Sequence, residues 1–329
     1  MSMLEGAPWL LAHKSMLQIN KPQKISLYGK DYVIWQDRTG VNGLPNVCPH
    51  MGAMLSEGWC VTEADGSSAV VCPFHALEFD RDGCTILPGT NNKTLPQLKP
   101  LELIIKDDFI WSYGDYEPKI PIPKILDKIA QQYEFIGATA DTSVETDLRS
   151  MLLNMHDYNH QNGTHRDLFE ITEVRFEKFI DNGYYSEAFF NTPTAPKTFW
   201  QKLKQPSQFL LPDVIQAHLE NYFPSLVVFH GSSLFGDFTQ CHLFVPESLG
   251  KTRTYVLLFA EASNPLAKLL KNQFLGLSKV VVEQDADILN KIYKNAPQKI
   301  KLNNEVGMDW VNKNFANWQE SAKVATTIH

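Results

Sequence analysis

Two short segments that each combine a cysteine with a histidine constrain this chain more than any other feature. The first reads CPH from Cys48 to His50, and the second reads CPFH from Cys72 to His75. Two thiolates and two imidazoles supplied by two loops are ligands for zinc or for an iron–sulfur cluster. The five cysteines are an odd number, which argues against a disulfide framework. The pattern therefore predicts a metal site, with zinc, a cluster and coincidence as the alternatives.

The composition excludes several classes of function. The chain has 329 residues, 43% of them hydrophobic, which is enough for two cores. A net charge of −7 without a basic stripe argues against a nucleic-acid partner. The first residues lack a charged leader followed by an apolar run, and no stretch approaches the roughly 20 apolar residues that span a bilayer. We expect a cytoplasmic protein with no membrane segment.

The chain divides into two regions of different pattern. Residues 24–114 contain short β segments separated by turns, as in the pair of strands around Gly29. A proline-rich stretch, residues 116–125, cannot sustain a helix and indicates a domain connection. The boundary is predicted near Pro118, with domains at residues 1–117 and 118–329.

The second region mixes helices and strands. Residues 141–160 have a helical pattern, and residues 173–191 predict a hairpin that turns at residues 181–183. Further strands are expected up to residue 260, followed by a long helix from about Pro265 to Pro297. These elements predict an α+β domain in which a long helix covers an antiparallel sheet.

A second group of possible metal ligands lies in the stretch NMHDYNHQNGTHRD. Asp157 and His160 share a helical face, and His165 follows a sequence that bends or ends the helix. Two histidines with one carboxylate form the usual site of an Fe(II) that activates O2. A rival pair is His156 and His160, which lie four residues apart.

The carboxylate is predicted to come from the long helix. Asp285 falls on the same helical face as a stripe of apolar residues. An unpaired buried carboxylate is costly, so a metal or another cation is expected beside it. The stripe consists of Leu270, Phe274, Leu277, Val281, Ile288 and Ile292.

The segments VIWQDRTGVNGLPNVCPHMGAMLSEG and VVCPFHALEFDRDGCTILPG resemble the cluster-binding segments of the Rieske non-haem iron oxygenases, in particular their large (α) subunits. This resemblance implies an amino-terminal all-β domain with a [2Fe-2S] cluster bound by Cys48, His50, Cys72 and His75. It also implies an α+β catalytic domain with an antiparallel sheet and a long C-terminal helix, of the helix-grip or START-like type.

The same family has a catalytic motif, Asp-x2-His-x4-His, that matches Asp157, His160 and His165. The resemblance implies a mononuclear Fe(II) bound by the two histidines and Asp285. It further implies a homotrimer in which Asp157 accepts a hydrogen bond from His75 of the adjacent subunit. Electrons are expected from NAD(P)H through a separate ferredoxin or ferredoxin reductase, since the chain has no flavin or nicotinamide fingerprint.

The chain departs from the family pattern at three residues beside the ligands. Met51 replaces an arginine, and Ala76-Leu77 replaces Gly-Trp. Residues 62–68 resemble a surface insertion, and Cys60 and Cys84 are interpreted as ordinary thiols. None of these differences removes a ligand.

The predicted function is an O2-dependent oxidoreductase that hydroxylates a cyclic, largely hydrophobic molecule, with monooxygenase and dioxygenase chemistry both open. The alternative is a non-catalytic redox or ligand-binding protein. His218, His230 and His242 are expected to be structural. Residues that could line a pocket are Phe190, Phe199, Trp200, Phe223, Val228, Phe229 and Phe244.

Overall fold

The computed structural model describes residues 4–87, 92–195, 212–233, 236–261, 268–293 and 296–326. The chain divides into two compact units. The first contains the residues up to Ile122 together with Val245–Leu249, and the second contains Pro123–Phe244 and the residues from Gly250 onward. Phe199 and Trp200 lie outside the described residues, as does the predicted helix start at Pro265.

The first unit is built from short antiparallel strands. Their sheet orders are β1-β11-β10, β2-β3-β4 and β5-β6-β7-β8-β9. The strands are β1 (Trp9–His13), β2 (Gln23–Leu27), β3 (Lys30–Gln36), β4 (Val41–Pro45), β5 (Trp59–Thr62), β6 (Ser68–Val71), β7 (Glu78–Phe79), β8 (Cys84–Ile86), β9 (Lys93–Pro96), β10 (Ile104–Lys106) and β11 (Phe109–Ser112).

A buried aspartate ties two of these sheets together. One oxygen of the Asp37 carboxylate accepts the backbone N–H groups of Thr39 and Gly40 at 2.7 and 3.0 Å, which closes the β3–β4 turn. The other oxygen accepts the N–H of Ser68 at 3.0 Å. One core cluster of the first unit contains Trp35, Phe79 and the two cysteines, Cys48 and Cys72. The cysteine loops are therefore anchored on a packed sheet.

The second unit is organised around one long antiparallel sheet. Its order is β12-β19-β18-β17-β16-β15-β14, and β13 also pairs with β19. The strands are β12 (Tyr133–Ala138), β13 (Thr142–Val144), β14 (Arg175–Asn182), β15 (Tyr185–Pro193), β16 (Val214–Tyr222), β17 (Leu226–Ser233), β18 (Gly236–Ser248) and β19 (Lys251–Glu261).

Five α-helices are described in the second unit. They are α1 (Ile125–Gln132), α2 (Leu148–His156), α3 (Arg166–Phe169), α4 (Lys271–Lys291) and α5 (Val306–Thr326). A 3-10 turn, Tyr158–Asn162, follows α2 directly. No helix in the described part of the chain has the length and apolar content that a membrane crossing requires.

The predicted fold class, an all-β domain followed by an α+β domain with an antiparallel sheet and a long late helix, is confirmed. The predicted helix at residues 141–160 is wrong in its first part, because residues 142–144 form β13 and pair with β19. Asp147 delays the helix, since its side chain accepts the N–H of Ser150 and caps α2. The last helix, α5, was not predicted.

Candidate metal centres

The two cysteine loops have the same backbone hydrogen bonds. The N–H of Cys48 donates to the carbonyl of Ala53 at 2.9 Å, and the N–H of Gly52 donates to the carbonyl of Cys48 at 2.8 Å. The second loop repeats the pattern: Cys72 donates to Leu77 at 2.9 Å, and Ala76 donates to Cys72 at 3.1 Å. In both loops the fifth residue, counting the cysteine as the first, has a positive φ, which is 77° at Gly52 and 54° at Ala76.

This geometry places the four predicted cluster ligands together. Cys48 and Cys72 are buried, at 2% and 0% exposure, whereas His50 and His75 are exposed. The Nδ1 atoms of the two histidines face each other at 3.2 Å. Burial raises the pKa of the Cys48 thiol, with Cys72 beside it as a further cause. Two buried thiols opposite two imidazoles that converge through Nδ1 fit the ligand set of a Rieske cluster.

Three further ligands converge in the second unit. His160 lies in the 3-10 turn after α2, His165 lies just before α3, and Asp285 comes from α4. The Nε2 atoms of His160 and His165 lie 3.5 and 3.3 Å from the same carboxylate oxygen of Asp285. The three ligand atoms all lie within 4.8 Å of one another. We call these three residues the triad.

Neighbouring acceptors fix the orientation of both imidazoles. The Nδ1 of His160 contacts the main-chain carbonyl of Asp157, and the Nδ1 of His165 lies 2.9 Å from Oε1 of Gln284. A proton on each Nδ1 leaves Nε2 free to bind a metal. The amide of Asn154 also hydrogen-bonds the Asp285 carboxylate. Sequence reasoning missed Gln284 and Asn154.

The electrostatics of the triad favour a cation. Burial opposes ionisation of Asp285, yet the interaction with His165 and the charge of His160 lower its pKa. Burial also lowers the pKa of His160, whereas Asp285 outweighs burial at His165 and raises its pKa. The buried carboxylate therefore stabilises positive charge beside it. A divalent cation bound by nitrogen and oxygen ligands would supply that charge, so the residues fit a mononuclear Fe(II).

An apolar cavity of about 160 Å³ opens beside the triad. Its walls come from α4 and from one face of β15–β18, where Phe190 pairs with Ala217 and Phe229 pairs with both Leu219 and Gln240. Of the predicted pocket residues, Phe190 and Phe229 line this cavity. Phe223, Val228 and Phe244 are buried elsewhere in the core.

The strand histidines differ from one another. The Nε2 of His218 lies 2.9 Å from Glu187, and that of His230 lies 2.8 Å from Glu220, on the sheet face opposite the cavity. His242 lines the cavity instead, and burial lowers its pKa to about 4. The imidazole of His242 is therefore neutral at pH 7.

His156 takes no part in the triad. Its side chain is 1% exposed, its Nδ1 lies 2.7 Å from the carbonyl of Leu152, and its ring packs on Trp310. Burial lowers the pKa of His156 to about 4. The rival pairing of His156 with His160 is absent from the described residues.

Asp285 lies at the margin of the buried face of α4. The buried residues of this helix are Phe274, Ser278, Val282, Ala286 and Leu289. The predicted stripe was partly wrong, since Ile288 and Ile292 are 39% and 53% exposed. Its amino-terminal part, including Phe274 and Val281, does line the cavity.

Asp157 directs its two polar groups to different partners. Its side chain accepts the N–H of Asn159 at 3.0 Å and so caps the 3-10 turn. Its main-chain carbonyl, rather than its carboxylate, meets His160. The other oxygen of the Asp157 carboxylate has no hydrogen bond to a described residue and can accept one from a further donor.

Comparison with known proteins identifies the first unit. Residues 8–99 match the family model of the Rieske [2Fe-2S] domain. The chain therefore carries a Rieske domain, and the predicted relationship to the Rieske oxygenases is confirmed.

Two curated relatives show the sequence similarity. Aminopyrrolnitrin oxygenase PrnD of Pseudomonas fluorescens is 28% identical over 172 residues, which cover 49% of this chain and 46% of the relative. The oxygenase component of dicamba O-demethylase of Stenotrophomonas maltophilia is 25% identical over 165 residues, covering 48% and 47%. The match spans about half the length of these relatives.

The fold similarity extends over nearly the whole chain. The crystal structure of dicamba monooxygenase bound to dicamba superposes with a TM-score of 0.74 at 18% identity, covering 98% of this chain and 99% of that protein. NdmB of Pseudomonas putida CBB5 gives a TM-score of 0.68 at 16% identity, with 98% and 94% covered. At such identities the comparison establishes the shared fold.

Proposed function

We propose that this protein is the terminal component of a Rieske-type oxygenase, which uses O2 and externally supplied electrons to hydroxylate a cyclic, largely hydrophobic molecule. The observation that carries the proposal is the convergence of His160, His165 and Asp285 beside an apolar cavity of about 160 Å³. The names of the relatives, an aminopyrrolnitrin oxygenase and a dicamba O-demethylase, support it.

In this proposal each unit holds one metal group. Cys48, Cys72, His50 and His75 bind the [2Fe-2S] cluster, and the triad binds Fe(II). When bound, the cluster supplies single electrons and the Fe(II) supplies a site where O2 is activated. Gln284 holds His165 in the tautomer that leaves Nε2 as a ligand, and the main chain at Asp157 does the same for His160.

The cavity residues bind the substrate and exclude water. Phe190, Phe229 and Phe274 present apolar surface next to the triad. An apolar wall favours a substrate that loses little hydration on entry, and it keeps bulk water from the reacting atoms. Among the described lining residues, the polar side chains lie mainly on β18 and around the triad.

We also propose a homotrimer in which Asp157 links the two metal groups of adjacent copies. The cap to Asn159 fixes the Asp157 carboxylate next to His160 while leaving one oxygen for a donor such as His75 of another copy. The electron donor is a separate ferredoxin or ferredoxin reductase that draws on NAD(P)H. The Asp157→Asn variant should retain both metal groups and lose most of its turnover.

Iron analysis of purified protein, combined with O2 uptake, tests the proposal. We expect about three irons per chain. The Asp285→Ala variant should bind about two and keep the cluster absorbance, while the control Asp287→Ala, an exposed residue of α4 paired with Lys291, keeps about three.

Turnover is measured with a generic ferredoxin and reductase across a panel of cyclic compounds. We expect substrate-dependent consumption of NAD(P)H and O2, with product mass showing one or two added oxygens. About two irons in the unmodified protein, with no substrate-dependent O2 uptake, would instead support a non-catalytic redox or ligand-binding protein.

A further inference from the structure

Two buried neighbours hold the short stretch that carries Asp157 and His160. Asp157 has a φ of −85° and a ψ of 89°, which belong neither to α2 nor to the 3-10 turn that follows. His156 and Tyr158, on either side of it, are each 1% exposed, whereas Asp157 itself is only partly buried. We call residues 156–160 the Asp157 turn. The position of this turn depends on what packs against its two buried side chains.

The long sheet contacts one side of the Asp157 turn. The ring of Tyr158 lies between those of Phe176 and Phe190, with centroids 5.9 and 5.2 Å away and interplanar angles of 17° and 28°. Phe190 also lines the cavity. Aromatic rings that stack in this way are held in a defined orientation as well as buried. This side of the turn is therefore fixed on β14 and β15.

The amino-terminal end of α5 contacts the other side of the Asp157 turn. The imidazole of His156 packs on the ring of Trp310, with centroids 5.3 Å apart. The side-chain amide of Asn159 donates to the main-chain carbonyl of Asn303 at 2.8 Å, just before α5 begins. The helix itself is tied to the turn between β14 and β15, because Nε1 of Trp310 donates to the carbonyl of Gly183 at 2.7 Å.

Gly307 allows α5 to approach the Asp157 turn very closely. It lies in the first turn of α5 and has no positive φ, so its backbone conformation does not require a glycine. A Cβ at this position would lie 2.6 Å from the main-chain oxygen of His156 and 2.8 Å from the hydroxyl oxygen of Tyr158. Both distances are shorter than the 3.0 Å below which Cβ atoms are essentially never found. Any side chain at Gly307 must therefore displace either α5 or the turn.

This close contact bears on the triad through the main chain. The carbonyl of His156 belongs to the peptide group that joins His156 to Asp157, so a shift of that group moves Asp157. The carbonyl of Asp157 in turn contacts Nδ1 of His160 and orients its imidazole. Groups that orient a metal-binding imidazole typically change metal affinity by about 10–100-fold when they are altered.

We propose that the amino-terminal end of α5 positions Asp157 and thereby sets the orientation of His160 at the metal site. It does so through the close approach of Gly307 and through the hydrogen bond between Asn159 and Asn303. Gly307 and Asn159 are positioning residues, since they act through the main chain of Asp157. This inference rests on the proposed function, because it concerns the same triad. It adds a helix that supplies none of the described residues of the cavity wall.

Binding of Co²⁺ to the triad tests the positioning role. The full-length protein is used with its oxidised cluster in place, after a chelator has emptied the triad. Gly307→Ala should weaken Co²⁺ binding by about tenfold or more in calorimetric titration, and it should change the electron paramagnetic resonance spectrum of bound Co²⁺, because His160 is reoriented. The control Gly276→Ala adds the same methyl group to α4, where a Cβ meets no atom within 4 Å, and should change neither.

A second variant keeps the test decisive if Gly307→Ala does not fold. Asn159→Ala removes the side-chain hydrogen bond to Asn303 and keeps the N–H that the Asp157 carboxylate accepts. It should weaken Co²⁺ binding by about threefold, the effect of one lost hydrogen bond. A lower melting temperature with unchanged Co²⁺ affinity and an unchanged spectrum, in whichever of the two variants folds, would show a merely structural role and overturn the inference.

Failure of this inference is distinguishable from failure of the proposed function, because Co²⁺ binding requires neither electrons nor O2. The expected loss of Co²⁺ affinity in the variants, without substrate-dependent O2 uptake by the unmodified protein, would refute the oxygenase function and keep the positioning role. Substrate-dependent O2 uptake by the unmodified protein, with Co²⁺ binding unaffected by either substitution, would refute the positioning role and keep the oxygenase function.

Discussion

At the scale of single residues, Ala76, next to the cluster ligand His75, has a backbone conformation that disfavours any residue with a Cβ. Its φ of 54° lies in the left-handed region, where a Cβ costs about 1–2 kcal/mol. Gly52 occupies the equivalent position of the other loop with a φ of 77° and no such cost. The two loops have the same hydrogen bonds, so the residue type alone distinguishes the two positions.

We therefore expect Ala76→Gly to raise the free energy of unfolding of the first unit by about 1 kcal/mol. Gly52→Ala should lower it by about 1 kcal/mol, because a Cβ at Gly52 meets no atom within 4 Å and the cost is purely conformational. Urea unfolding followed by cluster absorbance measures both values. A lower stability of Ala76→Gly would show that Ala76 contributes packing that outweighs the backbone strain.

At the scale of elements, Glu220 links three strands of the long sheet. Near the carboxyl end of β16, its carboxylate accepts hydrogen bonds from Tyr185 on β15 at 3.2 Å and Tyr222 at 2.6 Å, and it meets His230 on β17 at 2.8 Å. Burial opposes ionisation of Glu220, but His230 and Tyr222 outweigh it and lower the pKa to about 2. This network occupies the sheet face opposite the cavity and joins three of the strands that form the cavity wall.

The lowered pKa gives a pH dependence with a definite sign. Ionised Glu220 stabilises the fold above its ordinary pKa of 4.5, and this stabilisation is lost as the pH falls from 4.5 towards 2. Partial exposure reduces the full effect to about 1–2 kcal/mol. Glu220→Gln should lower the free energy of unfolding by that amount at pH 7 and flatten its dependence between pH 4.5 and 2.

Urea unfolding at a series of pH values measures this effect. Glu283→Gln is the control, because within the described part of the chain Glu283 pairs only with Lys279, at an exposed site on α4, and the substitution should change stability by at most about 0.5 kcal/mol. An unchanged pH profile in Glu220→Gln would show that the network does not stabilise the ionised carboxylate.

At the scale of the whole molecule, each compact unit contains one candidate metal centre. The cluster ligands all belong to the first unit, and the triad belongs to the second. A bound metal stabilises only the unit that holds it, by about 2.7 kcal/mol when the free metal is at 100 times its dissociation constant. The two centres are therefore expected to affect two separate unfolding transitions.

Removal of the triad metal should shift one transition only. After treatment with a chelator that leaves the cluster absorbance intact, we expect the melting temperature of the second unit to fall by about 5 °C or more, as for a unit of this size. Scanning calorimetry, with cluster absorbance as the marker of the first unit, measures both. Readdition of Fe(II) should restore the original melting temperature of the second unit in the unmodified protein but not in His165→Ala. Equal shifts of both transitions would show that the units unfold together.

The sequence by itself determined those features that depend only on residues close to one another along the chain. The spacing of the cysteines and histidines, the strand pair around Gly29 and the Asp157–His165 segment are local patterns, and their chemistry follows from residue type. The same local reasoning selected Asp285 as a candidate ligand, because a carboxylate within an apolar stripe is unusual in a single helix. Local reasoning gave a wrong prediction for residues 142–144, which form a strand paired with β19 and do not extend α2.

Only the tertiary structure decided which distant residues meet. His165 and Gln284 are 119 positions apart, and no local pattern indicates that one fixes the tautomer of the other. The same holds for the three strand histidines: the register of β16 and β17 turns His218 and His230 towards glutamates, while β18 turns His242 into the cavity. Period-two alternation gives two faces for every strand, and the packing of α4 on one of them decides which face becomes the cavity wall.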